Sequence, residues 1–533
     1  MEKGISPIID VLENVLNLDI RYNSIIYLVY LSLFLVIYFL LRKNKSKEIW
    51  ILIGNIIFYI WCSKWAIVII TLTSMIVYVC TILIDKKYKL YDTEKEGKET
   101  KEQVRLFTDY KKKTKKYVVV AVILVVGLWV YVKVEKYLGT FDVQGLIVPL
   151  GISYYTLSMV GYMLDVYWRK TTVEKNYLRY LAVVTYFPHI VQGPISKYQK
   201  LMSQISDLPG FDFKRFCFGF QRIIWGFFKK LVVADRIVIY TTEVFASNEK
   251  YGAEVILAII LCVIQLYADF SGCMDIVCGT SQAIGIDLDE NFRQPFMAKS
   301  AQEFWARWHI TLGQWTKDYI YLPIAMNAKF LKFTKGLKKK GSKWLSSFIK
   351  SFCPLIAVWI FTGLWHGTGA DYLVWGLYWC TVMTISKEIA PLIDKFRQKS
   401  NKSDNEMVSN VLRMVRTFII FAVGRTIVIT GSLKGCVALW QRVFRKAALW
   451  ALWDGSIYES GVTQKQFTIV IIGIVLMLIV DILHEKKIGI REKIAEMPIV
   501  LRWIIYYAAI FAVIIFGAYG VGEGATSFVY GAF

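Results

Sequence analysis

His366 and His309 are two of only four histidines in a chain of 533 residues that is 56% hydrophobic. His366 closes the string Phe361-Thr362-Gly363-Leu364-Trp365-His366, and Gly367 and Gly369 follow it. Imidazole takes and returns a proton near neutral pH more readily than any other side chain. An ionisable group at membrane depth is expensive, so it lines a cavity, pairs with a partner or does chemistry. The alternative for His366 is a core histidine satisfied by a backbone carbonyl. His309 sits in NFRQPFMAKSAQEFWARWHITLGQWTKDYIYLPIA (291–325), a segment too polar to be a simple membrane span. The chemistry that two such histidines suit is proton transfer in a site shielded from bulk water.

A spanning helix needs roughly 20 apolar residues. Apolar runs near 24–41, 49–62, 65–84, 117–137, 142–164, 178–195, 218–241, 254–280, 352–384, 411–433, 466–483 and 500–521 predict an all-α polytopic membrane protein. No soluble break is long enough to hold a separate domain, so residues 1–533 read as one membrane domain. Residues 1–20 predict an interfacial helix, with Ile8, Ile9, Leu12, Val15 and Leu16 at helical spacing. Asp10, Glu13 and Asp19 interrupt that stretch and argue against a secretory signal. Nine scattered cysteines without a CxxC pair argue against a disulfide framework and against a zinc site, and no metal is expected.

The formal net charge of +23 is carried by short segments between apolar runs: Arg42–Lys47, Lys86–Lys116, Lys329–Lys350 and Lys486–Lys493. That distribution marks cytoplasmic loops of a membrane protein and not a nucleic-acid surface. The segments 85–116 and 329–350 are read as basic cytoplasmic loops, the first solvated and mobile, and they place the N-terminus outside. Lys338, Lys339 and Lys340, with Lys335 and Lys343, either lean on anionic lipid or dock a negatively charged acyl donor.

Within 291–325, Phe304, Trp308, Leu312, Trp315 and Tyr319 fall on one helical stripe, with Trp305, His309 and Leu312 on the adjoining face. Glu303, Arg307, Lys317 and Asp318 keep this stretch out of lipid. It predicts an amphipathic or re-entrant helix packed against protein.

These segments, together with PLGISYYTLSMVGYMLDVYW (149–168), YFPHIVQGPISKY (186–198), GFFKKLVVADRI (226–237) and YADFSGCMDI (267–276), resemble the membrane-bound O-acyltransferase (MBOAT) family. The likeness is narrower still to its bacterial branch of alginate O-acetylation and teichoic-acid D-alanylation membrane proteins. It runs in order over about 149–380, the expected catalytic core. It implies a ring of about 11–12 transmembrane helices with re-entrant helices around a central tunnel. It carries the family's central histidine onto His366 and its second histidine onto His309. Asp269 and Asp275 fall on the carboxylates of the Asp-Phe-Ser-Gly stretch, with Ser271 between them. Asn291, Ser300 and Glu303 fall on polar positions leading to His309, and Trp305 and Trp365 flank the two histidines. The sequence departs from the pattern at Ala306, Ala370 and Cys380, which bears on acceptor specificity.

The resemblance implies transfer of an acyl group, acetyl first, from a cytoplasmic thioester to hydroxyls of an extracellular polysaccharide or cell-wall polymer. The expected donor is acyl-CoA or the phosphopantetheine arm of a small acidic carrier protein, with no cofactor bound permanently. Expected partners are the lipid of a bacterial cytoplasmic membrane and an envelope-side acyltransferase, and no nucleic acid. His366 is assigned as general base. His309 either orients the donor or polarises its carbonyl by donating a hydrogen bond. Asp269 either orients a histidine or pairs with a cation or a backbone amide. D-alanyl transfer to teichoic acid is the alternative within the class. A proton-coupled transporter or flippase is the alternative outside it, although no self-similar halves are present. There is no G-x-S-x-G elbow, and His484-Glu485 lacks the second histidine of a zinc-protease helix.

Overall fold

The computed structural model describes residues 21–138, 149–399, 406–445 and 447–519. The expected interfacial helix at 1–20, and the start of the apolar run at 142–164, lie outside them. The described residues are helical, without strands, apart from one isolated antiparallel bridge between Phe292 and Trp308. Among the described residues, six helical stretches are long and apolar enough to cross a membrane: Asn44–Glu94, Thr100–Glu135, Gly252–Ile284, Lys343–His366, Gln464–Glu485 and Ile499–Phe516. Ile25–Leu40 is a shorter apolar helix. The protein is an all-α polytopic membrane protein. The run at 178–195 is not a continuous span, because it breaks after eight residues into buried short helices.

The described residues divide into two compact units, the first lying within 21–220 and 276–289, the second within 221–275 and 290–519. In the first lie α1 (Ile25–Leu40), α2 (Asn44–Ser63), α3 (Ile67–Glu94), α4 (Thr100–Leu138), α5 (Ile152–Tyr167), α6 (Tyr177–Val184), α7 (Phe187–Ile190) and α8 (Tyr198–Ser206). Its core is aromatic: Tyr22, Tyr27, Tyr30, Phe34, Phe58 and Phe187 pack ring against ring at 5.0–6.3 Å between centroids. Buried Asn55 holds the break between α6 and α7, donating to Ala182 O (2.9 Å) and accepting from Phe187 N (2.9 Å). The outer face of α1 leaves Ile25, Leu33, Val36 and Leu40 more than half exposed, as lipid-facing residues are.

Residues 85–116 are not a loop. Helix α3 runs to Glu94 and α4 starts at Thr100, so only a short turn separates them. Lys and Glu are good helix formers, and rings interlock the two helices beyond their apolar part. Tyr91 meets Phe107 at 5.4 Å and Tyr110 at 5.9 Å, and the Tyr110 hydroxyl donates to Glu94 (2.6 Å).

The second unit continues with α9 (Phe213–Phe227), which begins in the first, a π-helical turn at Phe228–Ala234, α10 (Asp235–Ala246) and α11 (Gly252–Ile284), whose last turns belong to the first unit. Then follow α12 (Ala301–Arg307), α13 (Ile310–Thr316), a π-helical turn at Lys317–Tyr321, α14 (Leu322–Ala325), α15 (Ala328–Lys339), α16 (Lys343–His366), α17 (Ala370–Lys399), α18 (Glu406–Ile429), α19 (Leu433–Arg445), α20 (Gln464–Glu485), α21 (Ile490–Glu496) and α22 (Ile499–Phe516).

Residues 329–350 are likewise helical, against the loop expected there. Asn327 caps α15 by accepting from Lys329 N and Phe330 N (3.0 and 3.2 Å), and Gly341 turns the chain at φ +89°. Ser346 Oγ donates to Thr334 O (2.7 Å) and ties α15 to α16. Helices α16 and α17 pack closely through glycine. A Cβ on Gly363 would lie 2.5 Å from Tyr372 O, and one on Gly376 would strike Trp359 O.

Candidate active site

The stripe expected to run as one helix from Phe304 to Tyr319 is broken at His309. Helix α12 ends at Arg307 and α13 begins at Ile310, with His309 between them in the left-handed region (φ 48°, ψ 50°). A non-glycine residue there stores on the order of 1 kcal/mol or more and persists only when its surroundings hold it. The extended stretch beginning at Asn291 does so. Ile310 N donates to Asn291 O (3.0 Å), Arg293 N donates to Arg307 O (2.9 Å), and Phe292 bridges to Trp308. The break turns His309 inward, where it is 3% exposed.

His366 is the last residue of α16, and Gly367 follows it in extended conformation. It is 7% exposed. The imidazoles of His309 and His366 lie 6.4 Å apart between centroids, with the Trp365 ring 5.7 Å from the first and 4.8 Å from the second. Phe270 of α11 meets His309 edge-on at 4.9 Å, and Trp375 of α17 meets His366 at 5.3 Å. Four elements therefore enclose two imidazoles in an aromatic shell. His309 Nε2 is buried and has no hydrogen-bond partner, whereas its Nδ1 lies 3.1 Å from Asn291 Oδ1. Burial pushes the His309 pKa down to about 3, because the charged form loses its hydration. A neutral imidazole beside a second one can take a proton from a reacting hydroxyl.

The other residues singled out from sequence divide between this shell and its supports. Asn291 and Trp365 touch the histidines directly. Trp305 packs against Trp359, Trp375 and Trp379 at 4.9–5.9 Å, behind the pair. Of the two roles left open for Asp269, ion pairing is the one observed. Its Oδ1 lies 2.6 Å from Lys230 Nζ, which also reaches Asp235 at 2.8 Å, and all three side chains are wholly buried. Ser271 accepts from Lys229 Nζ (2.8 Å), and Asp275 pairs with Lys229 and with Arg222 (2.9 Å). Ser300 and Glu303 begin α12: Glu303 N donates to Ser300 Oγ (3.1 Å), and the Glu303 carboxylate accepts from Lys299 N and from Arg307. Lys338 and Lys339 lie in the last turn of α15. Lys340 lines a groove of about 400 Å³ with Lys329, Lys332, Phe333, Gly336 and Leu337.

Sequence reasoning quoted Lys229, Lys230 and Asp235 only as part of a motif. The signal that finds them is two adjacent lysines inside an apolar run, which at membrane depth demand carboxylate partners. Phe270, Trp359 and Trp375 carry no comparable signal, because their place in the shell depends on how α11, α16 and α17 meet.

The chain is 29% identical over 287 residues to a protein named probable alginate O-acetylase AlgI from Pseudomonas syringae, covering 54% of this chain and 50% of that one. It is 27% identical over 285 residues to a peptidoglycan O-acetyltransferase of Helicobacter pylori, covering 48% and 50%. To a teichoic acid D-alanyltransferase of Bacillus subtilis it is 26% identical over 288 residues, covering 52% and 67%. The match thus spans about half the length of the first two relatives. Residues 57–430, which include both histidines and every supporting residue just described, match the MBOAT family, so the chain belongs to the membrane-bound O-acyltransferases.

Proposed function

We propose that this protein moves an acyl group, acetyl in the first instance, from a thioester to a hydroxyl of a polysaccharide or cell-wall polymer. The observation that carries this reading is the buried pair His309 and His366, 6.4 Å apart inside an aromatic shell. In the reaction, His366 takes the proton of the attacking hydroxyl as its oxygen bonds to the acyl carbon. The carbon–sulfur bond then breaks, and the imidazolium returns the proton to the departing thiolate. General-base help of this kind contributes on the order of 10²–10⁴-fold. The donor is acyl-CoA or an acylated phosphopantetheine carrier. It arrives from the cytoplasmic side of a bacterial cytoplasmic membrane, and its acyl group crosses to an acceptor outside, where an envelope-side acyltransferase completes delivery. Acetyl is favoured because the alginate and peptidoglycan relatives are both named for O-acetyl transfer. The teichoic acid relatives of Bacillus subtilis and Streptococcus thermophilus support D-alanyl as the second reading.

The test is mass analysis of the surface polymers from cells with and without the gene. A polymer that loses one acyl mass increment on deletion, and regains it with the wild-type gene, supports the reading and identifies the group. Unchanged polymers in the deletion strain contradict it.

A further inference from the structure

We infer that Asn291 is the positioning residue that sets the tautomer of His309, with the proton on Nδ1 and the lone pair on Nε2, so that His309 receives a hydrogen bond from the substrate and gives none. The assignment begins with the amide. Thr311 N, which can only donate, lies 3.2 Å from Asn291 Oδ1, and Thr311 Oγ1 lies 3.0 Å from the same atom. The Nδ2 end faces Met274 Sδ at 3.2 Å, a weak acceptor. The chemistry of these neighbours makes Oδ1 the carbonyl oxygen, an acceptor only. The contact at 3.1 Å between it and His309 Nδ1 therefore requires the proton on Nδ1. A neutral imidazole carries one proton, so Nε2 is bare.

Nε2 is also the atom left without a protein partner in a residue 3% exposed. A buried acceptor without a hydrogen bond gives up its hydration for nothing in return, and native structures rarely tolerate that outside a functional site. Asn291 is itself 1% exposed and is held by the backbone pairing on either side of the helix break. The groups facing the His309 ring are Phe270 from α11, Trp365 and His366 from α16, and Asn291 with Thr311 at the break. His366 is the titratable one among them. Asp269, beside Phe270, is committed to Lys230.

This tautomer excludes the role of hydrogen-bond donor to a developing oxyanion that the sequence left open for His309. Resting on the acyl-transfer reading, the group that meets Nε2 is a second hydroxyl of the acceptor, beside the attacking one whose proton His366 takes, and only a bare nitrogen can accept from it.

Two measurements test the inference. The first is the pH dependence of kcat/KM in Asn291→Asp. The carboxylate still accepts from Nδ1 and Thr311, so the tautomer survives and alkaline activity is retained. It also stabilises the imidazolium, which raises the His309 pKa above its wild-type value. Below the raised pKa, Nε2 is protonated and cannot accept, so activity is lost at higher pH than in wild type. Asn291→Leu, without an acceptor, loses kcat on the order of 10-fold, and no more than His309→Ala does. If the aspartate variant keeps its activity through the acid range, Nε2 acts as a donor and the inference fails. The second is nitrogen NMR of histidine-labelled wild-type protein, with His309→Gln to assign the signal. An unprotonated Nε2 is expected, and a protonated one overturns the inference whatever the reaction. If the tautomer is found but no acyl thioester is consumed, the proposed function falls and the Asn291 assignment stands.

Discussion

At the scale of single residues, the two imidazoles share one shell but are built differently. His309 stands on a strained backbone between two short helices, whereas His366 ends a long helix and is covered by Trp365 and Trp375. Residues that act as a unit are not additive when removed. His366→Ala is expected to abolish transfer, His309→Ala to lower kcat on the order of 10-fold or more, and the double variant to match His366→Ala alone. Single-turnover kinetics on the three proteins checks this, and a double variant that loses the product of the two single effects separates the histidines functionally. Both were legible in the sequence because histidines are few and each sits where lipid does not tolerate it. The helix break at His309 was not legible. The apolar stripe from Phe304 to Tyr319 has helical spacing throughout, and the pairing that interrupts it involves Asn291 to Arg293, outside that stripe.

At the scale of elements, the charged residues of α9 to α11 are the main departure from what a membrane interior accepts. Lys230 pairs with both Asp235 and Asp269 with all three side chains wholly buried, and it does so from a π-helical turn, which offsets the helix register by one residue. Removing one partner of such a cluster leaves a buried charge and costs about 3–5 kcal/mol. Lys230→Met should lower the thermal unfolding midpoint in detergent well beyond the change produced by Lys200→Met at the exposed end of α8. Equal midpoints for the two variants would show that the buried cluster carries no stability. The glycines of the α16–α17 hairpin make a sharper demand. Gly363→Val has no room against Tyr372 O, so it should separate the helices, shift His366 and reduce kcat while the protein remains helical by circular dichroism. Wild-type kcat in that variant would show that His366 does not depend on the close approach. The sequence marked these apolar runs correctly as helix but read 85–116 and 329–350 as loops. Charge density looks the same in a solvated loop and in a helix that extends past the apolar slab, and only the partner rings across α3 and α4 decide between them.

At the scale of the whole molecule, the proposed side of donor arrival rests on the basic segments. With native cysteines removed, single cysteines at Lys98, in the turn between α3 and α4, and at Lys339, at the end of α15, should resist an impermeant thiol reagent in intact cells. Labelling of either from outside reverses the proposed direction of transfer. Reversing Lys338, Lys339 and Lys340 to glutamate should raise the apparent donor KM more than it lowers kcat. The effect should fade with added salt, since screening acts over about 8 Å at physiological ionic strength. A salt-independent KM that is unchanged in the reversed variant leaves these lysines as a topology signal alone.

Acyl transfer by purified protein decides the role of His366. Wild-type and His366→Gln protein, matched for folding in the same detergent, are each given an acyl thioester and a polyol acceptor, and both free thiol and ester product are measured. Wild-type protein is expected to release thiol and form ester in equal amounts, and the His366→Gln protein to form neither above background. Ester formation at the wild-type rate by the variant would contradict that role.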